Sequence, residues 1–359
     1  MSNVIQLNAP SLRQSAAERS AALVASFAHH RRFGDDVFWL KENAELLNIL
    51  ECTGADLGPD ALAPHQGFYD QVEKRLGFFP QYYRFLLSIC LDLEDLGMPG
   101  DKGEALAQWV QAQELPEAEL SDLQRAEARR LLARRGVRAL DWDIGLEDRL
   151  RRFVNRSETF AMPNKKAAYE LTHIVFYLSE YGRRDPKLDL AAITSLEYAG
   201  ILAYLDQNAD LLAEICVALR YAGQTPSQIW EDWLQREVHR FDVAEGSQAD
   251  PVDDYHDYFV CNWLMAMSGR DSFVKPAVAD CMSFTRAAPY AAPLRDMSEA
   301  MFRLEGARSE DWQAMRPHLE NALSEIGHDI LTEAQMSSDK FEGFFAGFAR
   351  ANTQAGMIG

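Results

Sequence analysis

The segment Ile215-Cys-Val-Ala-Leu219-Arg-Tyr-Ala-Gly223 contains an aliphatic residue, a leucine four positions later and a glycine four positions after that. Apolar residues four apart lie on one face of an α-helix. A glycine just beyond the last turn can adopt the left-handed conformation that closes the helix. The segment is therefore predicted to be the end of a buried helix.

Related segments recur along the whole chain and end at glycines 37 to 46 residues apart. The seven glycines are Gly54, Gly97, Gly136, Gly182, Gly223, Gly269 and Gly306. The pattern weakens before Gly136, slips by one residue before Gly269 and retains little beyond the glycine at Gly306. A fixed period near 43 residues is typical of stacked helix pairs. The sequence thus predicts an all-α fold of helical hairpins, either an (α/α)6-7 toroid or, otherwise, an open α-solenoid.

The period also predicts where the helices lie. Helices ending at the glycines are expected near 38–53, 80–96, 121–135, 166–181, 209–222, 254–268 and 293–305. Partner helices are expected near 60–76, 103–113, 145–156, 188–206, 226–240, 272–287 and 309–326, with a last helix near 338–351. Residues 1–12 are predicted to be a disordered tail and residues 13–359 a single helical-repeat domain. The polar loop 243–252 is the best candidate for a mobile connection.

Composition narrows the function classes. A formal charge of −19 disfavours binding to nucleic-acid phosphates or anionic lipid. No apolar run reaches the length of a membrane span. Five cysteines without a C-x-x-C pair favour a reducing, cytoplasmic location, and Cys90, Cys216 and Cys261 occupy positions expected to be buried. The arginines within 125–138 favour a solvated helix face, with an anion site as the alternative.

His173 is the first candidate for chemistry. It lies on a predicted glycine-ended helix, with Glu170 and Tyr177 at neighbouring helical positions. A histidine among aromatic residues can be a metal ligand, a general base or a buried core residue. We therefore consider His173 and Tyr177 as candidate catalytic residues and Glu170 as a candidate ligand.

A second candidate is the run Asp253-Asp-Tyr-His-Asp257 at the start of a predicted helix. Written as D-D-x-x-D, it resembles the pattern by which prenyl-transferring and terpene-cyclising enzymes hold Mg²⁺ and a diphosphate. The same carboxylates also suit a helix start, because they complement the positive end of the helix dipole. Both readings stay open at this point.

The two candidates can also be combined. His173 and His256 lie on glycine-ended helices and could face one cavity, with Asp253, Asp257 or Glu170 completing a set of mixed ligands for zinc or iron. Counted back from the closing glycine, His173 is nine residues away and His256 is thirteen away, about one helical turn apart in height. A further alternative is a di-iron centre using Glu170-x-x-His173 and Glu325-x-x-His328.

Two phrases resemble an uncharacterised bacterial all-helical family: Glu170-Leu-Thr-His-Ile-Val-Phe-Tyr-Leu-Ser-Glu-Tyr-Gly182 and Asp254-Tyr-His-Asp-Tyr-Phe-Val260. That family implies no activity. The general plan is similar to (α/α)-toroid proteins such as terpene cyclases and lanthionine cyclases. Their D-x-D-D and zinc-binding cysteine motifs do not occur in this sequence, so the resemblance implies a fold and two histidines of interest.

The sequence leads to a functional hypothesis. We expect an enzyme that acts on a small, largely apolar metabolite by metal-assisted or acid–base chemistry. His173, His256 and Tyr177 are its expected catalytic residues, and its expected metal is zinc, iron or magnesium. The alternatives are a helical-repeat scaffold for a protein or peptide, and Mg²⁺-dependent diphosphate chemistry through Asp253 to Asp257. The sequence leaves the oligomeric state open.

Overall fold

The computed structural model describes residues 14–32, 36–58, 60–138, 143–246 and 253–351. Most of these residues are helical, which confirms the all-α fold class; closure into a toroid stays a prediction. The α-helices of the described part are α1 (Ala16–His29), α2 (Val37–Cys52), α3 (Gln66–Phe78), α4 (Tyr83–Asp95), α5 (Lys102–Ala112), α6 (Asp122–Ala133), α7 (Leu146–Val154), α8 (Lys165–Leu178), α9 (Leu190–Leu205), α10 (Ala209–Tyr221), α11 (Gln228–Arg240), α12 (Tyr255–Met267), α13 (Pro293–Arg303), α14 (Trp312–Glu320), α15 (Glu325–Ser337) and α16 (Phe341–Ala349). The tail predicted at residues 1–12 lies outside the described residues.

The recurring glycines close the helices as the sequence indicates. At the end of α2, the N–H of Gly54 donates to the Glu51 carbonyl at 3.1 Å. The next N–H, of Ala55, donates to the Leu50 carbonyl at 2.9 Å, which completes a Schellman motif. The same pair of bonds and a positive φ occur at Gly97, Gly136, Gly223 and Gly269. Gly306 differs, because it lies inside the short 3-10 helix Glu305–Ala307.

Gly182 also has a positive φ, of 86°, but for a second reason. A Cβ at this position would lie 2.5 Å from the Tyr221 ring, whereas a Cβ at Gly223 would meet no atom within 4 Å. We expect Gly223→Ala to lower the free energy of unfolding by about 1 kcal/mol through backbone strain alone. Gly182→Ala should lower it by about 2 kcal/mol, because overlap adds to strain. Chemical denaturation of both variants tests this, and equal losses would contradict it.

Two predicted helices differ from the structure, and two observed helices were not predicted. The helix predicted at 272–287 is wrong: this region contains the strand β2 (Met282–Arg286), which pairs with β1 (Phe241–Glu245). Buried Met282 and Phe284 alternate with more exposed neighbours, as a strand requires. The helix predicted at 309–326 corresponds to the shorter α14, and α15, which begins at Glu325, was not predicted. The unpredicted α1 begins at a capping box formed by Ser15 and Glu18.

The chain divides into two compact units, and the prediction of a single domain stays a prediction. Unit 1 comprises residues 1–101, 243–253 and 271–284. Its helices α1 to α4 pack mainly through α2, which contacts both α1 and α4. The buried ring of Trp39 lies 5.2 Å from that of Phe68, centroid to centroid, and anchors α2 against α3.

Unit 2 comprises residues 102–242, 254–270 and 285–359. Helix α10 lies at its centre and contacts α8, α9, α11 and α12. Nearly every side chain of α10 is therefore buried, including Cys216. Cys90, Cys216 and Cys261 are all buried free thiols, as predicted. Among the described residues, no helix combines the length and apolarity that crossing a bilayer would require.

Candidate metal centre

Helix α10 carries two carboxylates into the interior of unit 2. Asp210 lies in its first turn and Glu214 one turn later, and they are only 6% and 3% exposed. The helix begins at Asn208, whose side chain accepts the N–H of Leu211. Burying a carboxylate costs free energy unless charges or hydrogen bonds compensate for the lost water. A close pair in the most buried helix of the unit therefore indicates a functional site.

The two oxygens of Asp210 have different environments. The hydroxyl of Tyr169, on α8, donates to Oδ2 at 2.5 Å. Oδ1 faces Nε2 of His256, on α12, at 3.2 Å. That contact is an ion-pair distance without the alignment of a hydrogen bond, and Oδ1 is a buried acceptor with no hydrogen-bond partner among the described residues. One oxygen is thus held by the protein and the other is available to a ligand.

The protonation of this site follows from its neighbours. Burial raises the pKa of the Asp210 carboxyl, but His256 and the Tyr169 hydroxyl outweigh burial and lower the pKa below its ordinary value. Burial and the adjacent Asp210 charge raise the pKa of the Tyr169 hydroxyl. Tyr169 therefore stays a hydrogen-bond donor at neutral pH, while Asp210 stays a carboxylate.

Glu214 has a parallel set of partners one turn further along α10. The hydroxyl of Thr172 donates to Oε2 at 2.5 Å, and Nδ1 of His173 lies 3.6 Å from the same oxygen. Burial raises the pKa of Glu214; attraction to His173 opposes this rise and repulsion from Asp210 adds to it. The site thus combines one carboxyl with a lowered pKa and one with a raised pKa, the pattern of an acid–base pair or of adjacent metal ligands.

The closing glycines explain why these side chains meet. Tyr169, Asp210 and His256 each lie thirteen residues before the glycine that closes their helix, and His173 and Glu214 each lie nine residues before theirs. Helices α8, α10 and α12 therefore present matching positions at matching heights. His256 contacts the carboxylate at its own level and His173 contacts the one at the next level. These distances to the closing glycines follow from the sequence alone, but in the sequence analysis above they were counted only for the two histidines.

Three of these side chains form a group suited to a metal ion. Asp210, Glu214 and His256 each offer one ligand atom, and these atoms all lie within 4.8 Å of one another. Two ligand atoms bound tetrahedrally to one zinc ion are separated by roughly 3.3 Å. The 3.2 Å between His256 Nε2 and Asp210 Oδ1 matches that spacing. The ligand atom of Glu214 lies within 4.8 Å of both of the others.

The carboxylates of the D-D-x-x-D run have other partners. Asp253 belongs to unit 1, where both of its oxygens accept hydrogen bonds from Arg31 at 2.8 Å. In unit 2, Asp254 accepts the backbone N–H of Arg286 at 2.7 Å, and Asp257 lies 3.4 Å from the Arg286 guanidinium. We therefore revise the predicted ligand set, because Asp253 and Asp257 are engaged with arginines rather than with the histidines.

The other predicted site residues lie outside the group of three ligands. Tyr177 is buried, its ring 6.1 Å from that of His173, and it faces the guanidinium of Arg130. Glu170 is half-buried on α8. Glu325 and His328 lie in the first turns of α15. They are not part of the group formed by Asp210, Glu214 and His256, so that group differs from the pair of Glu-x-x-His motifs predicted for a di-iron centre.

Unit 2 also contains a mostly apolar cavity of about 350 Å³, whose lining does not include Asp210, Glu214 or His256. Its walls come mainly from α8, α9 and α13, and include Phe160, Ala168, Leu202, Leu211 and Leu294. Aliphatic side chains dominate this wall. Ala168 and Leu211 directly adjoin Tyr169 and Asp210 in sequence, so the same two helices contribute to the cavity and to the acidic group.

These features define an all-α protein with a buried carboxylate pair flanked by two histidines. The chain belongs to the family described as "Domain of unknown function (DUF6902)", whose family model matches residues 1–351. The resemblance to an uncharacterised family is thereby confirmed. No curated protein and no solved structure matches the chain.

Proposed function

We propose that this protein is a metal-dependent enzyme in which Asp210, Glu214 and His256 hold one divalent cation. The observation that carries the proposal is the buried Oδ1 of Asp210, which has no hydrogen-bond partner among the described residues and faces His256. A buried carboxylate oxygen without a hydrogen bond costs free energy, and a cation bound between it and His256 would remove that cost. The proximity of a second buried carboxylate supports the same conclusion.

The donor set indicates the kind of metal. One imidazole nitrogen and two carboxylate oxygens suit zinc, iron(II) or manganese better than Mg²⁺ or Ca²⁺, which prefer ligands that are all oxygen. Three protein ligands leave a coordination position for water or substrate, as in catalytic rather than structural zinc sites. A metal held by these residues would supply Lewis-acid chemistry, which activates a substrate carbonyl or a water molecule.

His173 is the proposed general base beside this centre. Its Nδ1 lies 2.8 Å from the Tyr169 carbonyl, and a carbonyl oxygen can only accept, so Nδ1 carries the proton. In the neutral ring, Nε2 then has a free lone pair. The side chain is 34% exposed, so its ring is accessible from outside the protein, while Glu214 stabilises the imidazolium that forms on proton uptake.

The proposed substrate is a small, largely apolar metabolite. The cavity of about 350 Å³ along α8, α9 and α13 supports this class, because its walls are mostly aliphatic and its volume suits a small molecule. Lys165 and Asp206 form an ion pair at 2.8 Å and both line this cavity, so they supply a polar contact at its wall.

Of the two alternatives, diphosphate chemistry has the weaker support. It needs carboxylates that face a shared Mg²⁺, and those of Asp253, Asp254 and Asp257 already contact arginine side chains or backbone N–H groups. The scaffold hypothesis predicts that the two histidines are scattered. Instead, both histidines contact adjacent carboxylates of α10, and this convergence favours an enzyme.

The test is the metal content of the full-length protein, measured by inductively coupled plasma mass spectrometry after purification without chelators. We expect about one equivalent of zinc, iron or manganese per chain, and loss of that metal in Asp210→Asn and His256→Asn. Asp257→Asn is the matched control, because Asp257 adjoins His256 but pairs with Arg286; this variant should keep its metal. Wild-type protein that stays metal-free after equilibration with each of these ions would overturn the proposal.

A further inference from the structure

A second cavity in unit 2, of about 270 Å³, lies among α6, α7 and α8. Five of the ten residues that line it are charged. The charged lining residues are Arg129, Arg130, Glu147, Glu180 and Arg184. The three arginines exceed the two glutamates, in a chain whose overall charge is −19. A locally cationic cavity in a strongly acidic protein therefore needs an explanation.

Arg130 is the unusual member of this wall. It is only 6% exposed, and its Nε and Nη1 have no hydrogen-bond partner among the described residues. The guanidinium carbon lies 4.6 Å from the centre of the Tyr181 ring and 5.9 Å from that of Tyr177. Aromatic rings stabilise the charge through the face of the guanidinium, whereas its N–H groups point outward in its plane. The rings therefore leave those donors unsatisfied.

The glutamates of the wall do not neutralise Arg130. Glu147 pairs with Arg151 at 2.7 Å and lies 4.0 Å from Arg129. Glu180 pairs with Arg184 at 3.2 Å. Each glutamate is thus closest to another arginine, and the buried charge of Arg130 is left without an anionic partner among the described residues. Burying an arginine in this state is costly unless an anion reaches it.

We propose that this cavity binds a small oxyanion, a phosphate or carboxylate group, through Arg130. A guanidinium offers several N–H donors in one plane, which matches the oxygens of either group. The cavity is large enough for an oxyanion, since one water occupies only roughly 30 Å³. The surplus of one positive charge in the wall suits a group of low charge rather than a polyphosphate. This site is separate from the proposed metal centre and does not depend on it.

The first experiment is isothermal titration of full-length protein with sodium phosphate, at an ionic strength held constant with sodium chloride. We expect saturable binding near one equivalent, together with a rise in melting temperature that sodium chloride does not reproduce. Sodium acetate is titrated in parallel. Tighter binding of phosphate assigns the site to phosphoryl ligands, and tighter binding of acetate assigns it to carboxylates. Binding of neither anion would overturn the proposal.

Variants locate the site. Arg130→Met should weaken anion binding by at least roughly ten-fold, because it removes charged donors. It should fold without anion at least as well as the wild type, because it also removes an unpaired buried charge. Glu147→Gln should tighten binding by making the wall more positive. Arg303→Gln, an exposed control, should change nothing. Wild-type affinity in Arg130→Met, or no tightening in Glu147→Gln, would overturn the assignment.

Discussion

Arg31→Met is expected to lower the free energy of unfolding of unit 1 by about 3–5 kcal/mol, because it leaves the buried carboxylate of Asp253 without its cation, whereas Glu42 keeps its ion pair with Arg32. The side chains of Arg31, Glu42 and Asp253 are at most 2% exposed. Arg31 Nε donates to Glu42 at 3.0 Å, while both terminal nitrogens donate to Asp253 at 2.8 Å. Among the described residues, removing the arginine would therefore leave Asp253 with the backbone N–H of Phe284 as its one donor, at 3.0 Å.

The expected loss can be measured and partly reversed. Burial lowers the pKa of the Arg31 guanidinium, but its bonds to Asp253 and Glu42 outweigh burial and raise the pKa, so the group is charged at all accessible pH values. Adding Asp253→Asn to Arg31→Met should restore part of the stability, since it removes the orphaned charge. Denaturant-dependent hydrogen exchange at the amides of α2 reports on unit 1. Arg316→Met, which removes an exposed pair with Glu320, is the control. A loss below about 1 kcal/mol in Arg31→Met would contradict the network's role.

This network also shows why the sequence misled us about Asp253. A D-D-x-x-D run at a helix start has the same residue types whether it binds Mg²⁺ or pairs with cations from elsewhere in the chain. Arg31 is 222 residues away from Asp253 in sequence, and no local pattern links them. Long-range pairing of this kind depends on packing, which a single sequence does not reveal.

The helices themselves could be predicted much better, because their signals are local. Five of the seven glycines close Schellman motifs, and the helices before them end within one or two residues of the predicted positions. The strand β2 was missed because only Met282 and Phe284 are buried in it, too few to reveal a period of two. The segment around it includes Lys275-Pro276, which a helix interior disfavours.

The candidate site could be predicted less well than the helices but better than the pairing of Asp253 with Arg31. His173 and His256 were identified as unusual residues on glycine-ended helices, but the acids expected beside them were taken from nearby sequence. The carboxylates that they contact, Asp210 and Glu214, lie on another helix at the same distances from its glycine. The sequence predicted a buried helix there, but its carboxylates were not assigned to the site. A repeat therefore predicts which positions meet, provided that every helix is compared at each level.

Acidification provides the last prediction, through a buried histidine in unit 1. His65 Nε2 lies 2.8 Å from Oδ1 of Asn43. The amide nitrogen of Asn43 donates to the carbonyls of Phe27 and Trp39, so its oxygen accepts and Nε2 of His65 must carry the proton. Nδ1 is then unprotonated, and it has no partner among the described residues. Burial lowers the pKa of His65 to about 3, with a smaller contribution from His29.

The sign of the effect follows from this pKa. Below pH 6.5 the unfolded chain protonates His65 and the folded chain does not, so stability is complete above pH 6.5 and falls as the pH decreases toward 3. The expected slope is up to about 1.4 kcal/mol per pH unit, or about 2 kcal/mol between pH 6.5 and 5, before most carboxylates titrate. Asp257 in unit 2 has the opposite effect on stability as the pH falls, since burial and Asp210 raise its pKa to about 6. Hydrogen exchange at α2 amides therefore isolates unit 1.

Two variants test the assignment to His65. His65→Gln, which can still donate to Asn43, should flatten the dependence of unit 1 stability on pH, whereas the exposed control His30→Gln should leave it unchanged. An unchanged slope in His65→Gln would show that another group governs acid unfolding.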